Sequence, residues 1–306
     1  REHADDPAWK QPLPPLVRKV QPGQTYAGLA VLAERLTALG DLPADTPAPV
    51  SYKGAVVEAV KSFQKRHGLG ADGVIGKTTL AQLQVTPAAR ARQIELALER
   101  LRWTPLLRGP RMVVINLPEF SLRAYAAQGE SVQVADEMKV VVGKALDTRT
   151  PLFNEQMRFI EFSPYWNVPP SILRNEIVPH LRRDAAYLKR EGMEFVLDDG
   201  SVDKVVTPAL LKAVLAGEAR LRQRPGPKNA LGDIKFVFPN TDNIYLHHTP
   251  ATQLFERDRR DFSHGCIRVE QPAALAKFVL SSMPQWTEPR IKKAMNKGES
   301  FTLKLT

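Results

Sequence analysis

Apolar positions recur at helical spacing through the first hundred residues of the chain and then change period. Leu29, Leu32, Leu36 and Leu39 fall on one face of a helix over Tyr26–Leu39, with Gly40 placed to end it. A polar break with Pro43, Pro47 and Pro49 follows. The segment Ala55–His67 then carries Val56, Val60 and Phe63 on one face and stops at Gly68. Asp72-Gly73 marks a turn, and Thr78–Leu83 predicts a third short helix. Thr86-Pro87 supplies a capping hydroxyl followed by proline at the first helical position. In the helix this opens, Ile94, Leu98 and Leu101 make an apolar face interleaved with Arg90, Arg92, Glu95, Glu99 and Arg100.

From Arg111 the period shortens to that of strands. The runs RMVVINL, SLRAYA, VQVADEMKVVVG and MRFIEF are rich in β-branched and aromatic residues, with turns at Pro118-Glu119 and Gln128-Gly129. Helical text returns between about Ser171 and Arg224, in SILRNEIVPHLRRDAAYLKREG and PALLKAVLAGEARLRQRPG. Strands resume over Ile234–Phe238 and Ile244–His248; the tail predicts a helix over Pro272–Ser282 and a strand near Phe301–Leu305. An excursion of about 50 residues between strands is too long for a plain loop and predicts a subdomain folded over the β-rich part.

Length allows two domains, since 306 residues with 43% hydrophobic content can bury more than one core. No run approaches the ~18–20 apolar residues that cross a bilayer. The chain opens on Arg1 with no signal-like segment behind it, which reads as a mature or trimmed chain whose targeting segment has been removed. Net charge is +10, which fits an anionic surrounding. The basic residues are dispersed, however, and no zinc-finger or aromatic-plus-basic reader motif accompanies them, so nucleic acid is not an expected partner.

The single cysteine, Cys266, excludes an intramolecular disulfide and a multi-Cys metal site. No H-E-x-x-H helix is present, and neither a metal nor another cofactor is expected. Cys266 sits in FSHGCIRVEQP, with Gly265 before it, His264 two positions back and Arg268 two positions on. His247 lies nineteen positions upstream at the predicted end of a strand, and three of the six histidines fall within about twenty residues of the thiol. A free thiol has a pKa near 8.5, so an adjacent imidazole that takes its proton as an ion pair makes it a nucleophile at neutral pH. Attack on a carbonyl then needs backbone N–H groups for the oxyanion, which a Gly-Cys turn can supply.

His247 followed by Ser263-His264-Gly265-Cys266 and Arg268 resembles the signature of the L,D-transpeptidase (YkuD) catalytic domain. VKSFQKRHGLGADGVIGKTTLAQL, Val60–Leu83, resembles the type 1 peptidoglycan-binding domain. SPYWNVPPSI and RPGPKNALGDIKF resemble the larger Gram-negative members, which carry such a module and a helical capping subdomain. These resemblances imply an α+β protein: an extended arm over 1–24, a helical peptidoglycan-binding-like module over 25–85, and a connecting helix over 86–105. A β-rich catalytic domain over 106–306 would follow, with a helical capping insertion at about 171–224.

The resemblance also implies that Cys266 attacks, that His247 takes the proton, and that the carbonyl of His248 orients the imidazole. Small or acidic residues are common at the position of His248 in the family. His264 would line the site, and Arg268 would hold the loop or a substrate carboxylate. Tyr245, on the face of His247, and Trp166 with Asn167, beside two prolines, are candidate substrate contacts. The implied reaction is attack on the diaminopimelate carbonyl of a tetrapeptide stem, release of D-alanine, and transfer of the thioester to a second stem as a 3→3 cross-link.

The partners implied are donor and acceptor stem peptides, with glycan strands at the N-terminal module, and the implied location is the periplasm. Trimming of stems by the same acyl-enzyme, as an L,D-carboxypeptidase, and a silent wall-binding protein are the alternatives. A thiol peptidase of the NlpC type is disfavoured because it places Cys before His.

Overall fold

In the computed structural model, which describes residues 6–103, 109–129 and 131–305, the chain divides into two units, Arg1–Arg108 and Gly109–Thr306. Residues 1–5 of the expected arm, and 104–105 of the expected connecting helix, lie outside the described residues.

The first unit is helical, as its 3.6-residue period requires: α1 (Leu29–Ala38), α2 (Ala55–Arg66), α3 (Lys77–Gln84) and α4 (Pro87–Trp103). Leu32, Leu36, Val60, Phe63, Ile75 and Leu83 form its core. The stretch expected as an extended arm is extended but packed. Leu13 is buried in the same core, and Val20 exchanges backbone hydrogen bonds with Ile75. Arg35 explains why this stretch adheres. Its buried guanidinium donates to the carbonyls of Ala8, Gln11 and Leu83 and stacks over Trp9. The apolar positions of α4 stay exposed, Ile94 at 60% and Leu98 at 54%.

The second unit opens with three antiparallel strands, β1 (Arg111–Asn116), β2 (Ser121–Gln128) and β3 (Ser131–Gly143), followed by β4 (Phe159–Phe162). An insertion then runs through β5 (Trp166–Asn167), α5 (Pro170–Ile172), a π-helical turn at Leu173–Ile177, α6 (Val178–Arg183), α7 (Ala186–Arg190), β6 (Met193–Leu197), β7 (Val202–Asp203), α8 (Pro208–Ala216) and β8 (Ala219–Gln223). The chain returns through β9 (Ile234–Val237), β10 (Leu246–His247), β11 (Asp261–Ser263), β12 (Ile267–Val269), α9 (Pro272–Val279), α10 (Glu288–Met295) and β13 (Phe301–Lys304).

The main sheet has the order β1-β2-β3-β12-β10-β9-β4-β13, with β11 alongside β3. Strand alternation divides its faces. Ile160, Phe162, Ile234, Phe236, Leu246, Ile267 and Val269 point into a core closed by Leu275, Ile291 and Met295 of α9 and α10. Their neighbours Glu161, Lys235, His247 and Arg268 therefore point to the other face.

The insertion, expected to be helical, is mixed. It contains its own sheet, β5-β8-β6-β7, packed against its helices through Phe195, Leu221, Leu181, Leu188 and Leu211. Its root is tied by side chains. Asn229, 1% exposed, donates to the carbonyls of Pro164 and Arg224 at 3.0 Å. It thereby joins the chain entering the insertion to the chain leaving it.

Candidate active site

Register sets two of the predicted site residues, His247 and Arg268, side by side. β10 runs parallel to β12 with His247 opposite Arg268, and antiparallel to β9 with His247 opposite Lys235. Lys235 is in turn opposite Glu161 of β4. The four make one row across the sheet, on the face away from the core.

His247 is buried, at 4% exposure, and its Nδ1 hydrogen-bonds the carbonyl of His248. Burial, reinforced by the Arg268 charge, pushes its pKa down to about 3. The imidazole is therefore neutral at pH 7, and a neutral ring carries one proton. With that proton on Nδ1 for the His248 carbonyl, Nε2 is a bare acceptor. The side chain of His248 faces elsewhere: its Nδ1 lies 3.2 Å from Asp233 Oδ2. His248 contributes to the site through its backbone.

Cys266 stands just before β12. Its Sγ donates to the carbonyl of Asn243 at 3.6 Å. Burial pushes the thiol up, partly offset by hydrogen bonds from the backbone and hydroxyl of Tyr245 and by the charges of Lys235 and Arg268. At pH 7 the thiol and the imidazole are therefore each uncharged, where the Cys-His spacing led us to expect an ion pair. Burial decides this, because it penalises the charged form of both groups.

Tyr245 closes the cluster, its ring 5.8 Å from that of His247 and under the Lys235 ammonium at 4.5 Å. Burial and the neighbouring Cys266 push its hydroxyl well above the ordinary tyrosine value. It is a neutral donor.

The loop that carries the thiol is braced by two threonines the sequence did not single out. Thr148 Oγ1 donates to the Ser263 carbonyl at 2.9 Å and Thr150 Oγ1 to the Gly265 carbonyl at 2.7 Å. Ser263 Oγ donates to the carbonyl of Cys266 and accepts from the Gly265 N–H. Gly265 has φ +120, and a Cβ there would meet Ile244 at 3.0 Å, so glycine is required. Its N–H is already engaged by Ser263, which gives Gly265 the role of shaping the turn. The signal for the threonines was the Thr148-Arg149-Thr150-Pro151 text after β3, 115 residues from its partners.

His264 reaches the insertion: its Nε2 lies 2.7 Å from Oε1 of Glu176 in the π-helical turn. A π-turn is rare and recurs at functional sites. Trp166 is partly buried against the core of the insertion, while Asn167 is exposed opposite Arg222. Neither is brought to Cys266 by a contact of its own.

Residues 110–289 match the family described as "L,D-transpeptidase catalytic domain" (YkuD), and residues 25–83 match that described as "Putative peptidoglycan binding domain". A curated relative from Haemophilus influenzae, "Putative L,D-transpeptidase", is 32% identical over 181 residues, 58% of this chain and 35% of the relative. The match therefore spans about a third of that protein.

Among solved structures, a fused Zn-dependent amidase/peptidase/peptidoglycan-binding domain-containing protein from Clostridium acetobutylicum aligns with TM-score 0.24 at 12% identity, covering 85% of this chain and 94% of that one. The L,D-transpeptidase of Xylanimonas cellulosilytica aligns with TM-score 0.23 at 17% identity, covering 86% and 92%.

Proposed function

Because the chain belongs to the L,D-transpeptidase (YkuD) family and carries that catalytic domain, we propose that it joins peptidoglycan stem peptides by 3→3 cross-links through an acyl-enzyme on Cys266. Nε2 of neutral His247 takes the thiol proton as Sγ attacks the diaminopimelate carbonyl of a donor tetrapeptide. The C–N bond to terminal D-alanine breaks, and the proton on His247 goes to the departing amine. The thioester is then attacked by the side-chain amine of an acceptor stem, whose proton His247 accepts and passes to Sγ as the sulfur leaves.

The observation that carries this reading is the tautomer of His247: one nitrogen is committed to the His248 carbonyl and the other is left as a base. At pH 7 Nε2 is free to accept, and the proton transfer requires substrate to bring thiol and imidazole into hydrogen-bond reach and to relieve the burial that disfavours their charged forms. In this reading the enzyme works on the cell wall from the periplasm, and residues 25–83 would hold glycan strands.

Incubation with a disaccharide-tetrapeptide, followed by mass analysis of products and protein, tests this. Cross-linked dimers with loss of D-alanine are expected. Tripeptides alone would indicate trimming by the same acyl-enzyme, and no adduct on Cys266 would remove the reading. Slow acylation of Cys266 by a carbapenem is expected from the same chemistry.

A further inference from the structure

Two members of the row through the site have no part in the acyl-transfer steps. Lys235 of β9 stands opposite His247, and Glu161 of β4 stands opposite Lys235. Both side chains are partly buried, and the lysine Nζ lies 3.2 Å from Oε2 of the carboxylate. The same ammonium lies 4.5 Å from the centre of the Tyr245 ring, within the ~6 Å at which a cation is drawn to an aromatic face. A lysine stem is flexible and its ammonium has three donors. Glu161 engages one of them and so fixes where the charge rests.

The Tyr245 ring therefore has two neighbours that hold it: the ammonium over its face, and the His247 ring 5.8 Å away, inclined at 63°. Its hydroxyl hydrogen-bonds the sulfur of Cys266, and this bond favours the thiolate. A donor to sulfur counts most once the sulfur is anionic, and it counts only while the phenol points there. The charges that act on the thiol are those of Lys235 and of Arg268 in β12, with Glu161 behind Lys235. His247 is neutral, and His264 meets Glu176 of the insertion.

We propose that Lys235, braced by Glu161, is a positioning residue: it pins the Tyr245 ring so that the hydroxyl stays aimed at the Cys266 sulfur while the thiolate forms. This rests on reading Cys266 as the nucleophile. A ring released from the ammonium is free to swing its hydroxyl off the sulfur, and the thiolate then loses a donor. The rival account is direct action of the ammonium charge on the sulfur. Tyr245 separates the two, because only positioning needs its hydroxyl.

The test follows alkylation of Cys266 by iodoacetamide against pH in the whole protein, for wild type, Tyr245→Phe, Lys235→Met, the double variant and Lys235→Arg. Tyr245→Phe should displace the profile to higher pH by about half a unit to one unit, a roughly three- to tenfold slower reaction on the rising limb. Lys235→Met should displace it the same way by a comparable amount, and should add little in the Tyr245→Phe background. Lys235→Arg keeps a cation that stacks on aromatic faces and should lie closer to wild type than to Lys235→Met.

A Tyr245→Phe profile that coincides with wild type overturns the proposal without any variant of Lys235. So does a Lys235→Met profile that does not move, or one that moves equally with and without the hydroxyl, which would mean that the charge acts on the sulfur directly. A Lys235→Arg profile displaced as far as that of Lys235→Met also overturns it, since a packing role alone gives that result. Iodoacetamide needs no stem peptide. Failure of a disaccharide-tetrapeptide to acylate Cys266, with these shifts intact, therefore removes the transpeptidase reading and leaves the role of Lys235 standing.

Discussion

Cys266 and His247 meet neutral pH uncharged, and each half of that statement has a measurable consequence. With the thiol pushed up by burial, its alkylation by iodoacetamide should be slow at pH 7 and climb steadily through pH 9. An ion pair would instead give a plateau from mildly acidic pH, so a flat profile above pH 6 contradicts this account. His247 has a folded pKa of about 3 against about 6.5 unfolded. Below pH 6.5 the unfolded chain therefore binds a proton that the folded one refuses. The stability this group confers is complete above about 6.5 and is lost as pH falls toward 3. Denaturant midpoints across that window should fall less steeply in His247→Gln than in wild type.

Cys266 and His247 stood out because the chain has one cysteine and six histidines, whereas Arg268, one of many arginines, was reached through the family signature. Thr148, Thr150 and Glu176 did not, because common polar residues acquire meaning only when folding brings them to the loop.

Single elements show where pattern reading succeeds and where it fails. Helices α1, α2 and α4 could be read because ten or more residues sample the 3.6 period several times, while the eight-residue α3 was placed by the Asp72-Gly73 turn before it. β8 reads as the tail of a helix: Ala219, Leu221 and Gln223 turn inward at period two, but five residues are too few to separate the periods. Gly217, at φ +83, ends α8 and makes the switch. The same shortness hid β6 and β7, which is why the insertion was expected to be helical.

Two predictions belong at this scale. Arg35→Met leaves three carbonyls without their donor and should destabilise the first unit by on the order of 3 kcal/mol, read from urea unfolding. Glu176→Gln weakens an exposed polar contact to His264, and such surface contacts are worth ~0.2–1 kcal/mol. If the insertion closes over the thiol through this contact, the donor KM should rise by no more than about fivefold, with kcat nearly unchanged.

For the whole molecule, the two units have separate apolar cores. Scanning calorimetry should resolve two transitions, and Arg35→Met should lower only one of them. A single transition displaced as a whole would show that the units unfold together. The division was visible in the sequence as the change from helical to strand period near Arg111. The order of strands was not, since β10 lies beside β12 and β9 beside β4 through pairings that local pattern does not encode.

Phe162 and Ile234 are direct partners across β4 and β9, and the Ser163 N–H donates to the Asp233 carbonyl at 2.8 Å. To the sheet, the roughly seventy residues between them are the tip of a hairpin. Such an appendage is a cassette: it can be lengthened, exchanged or cut back to a tight turn without moving a single rung of the ladder beneath it. What the appendage touches can thus change while the row of site residues beneath it stays fixed.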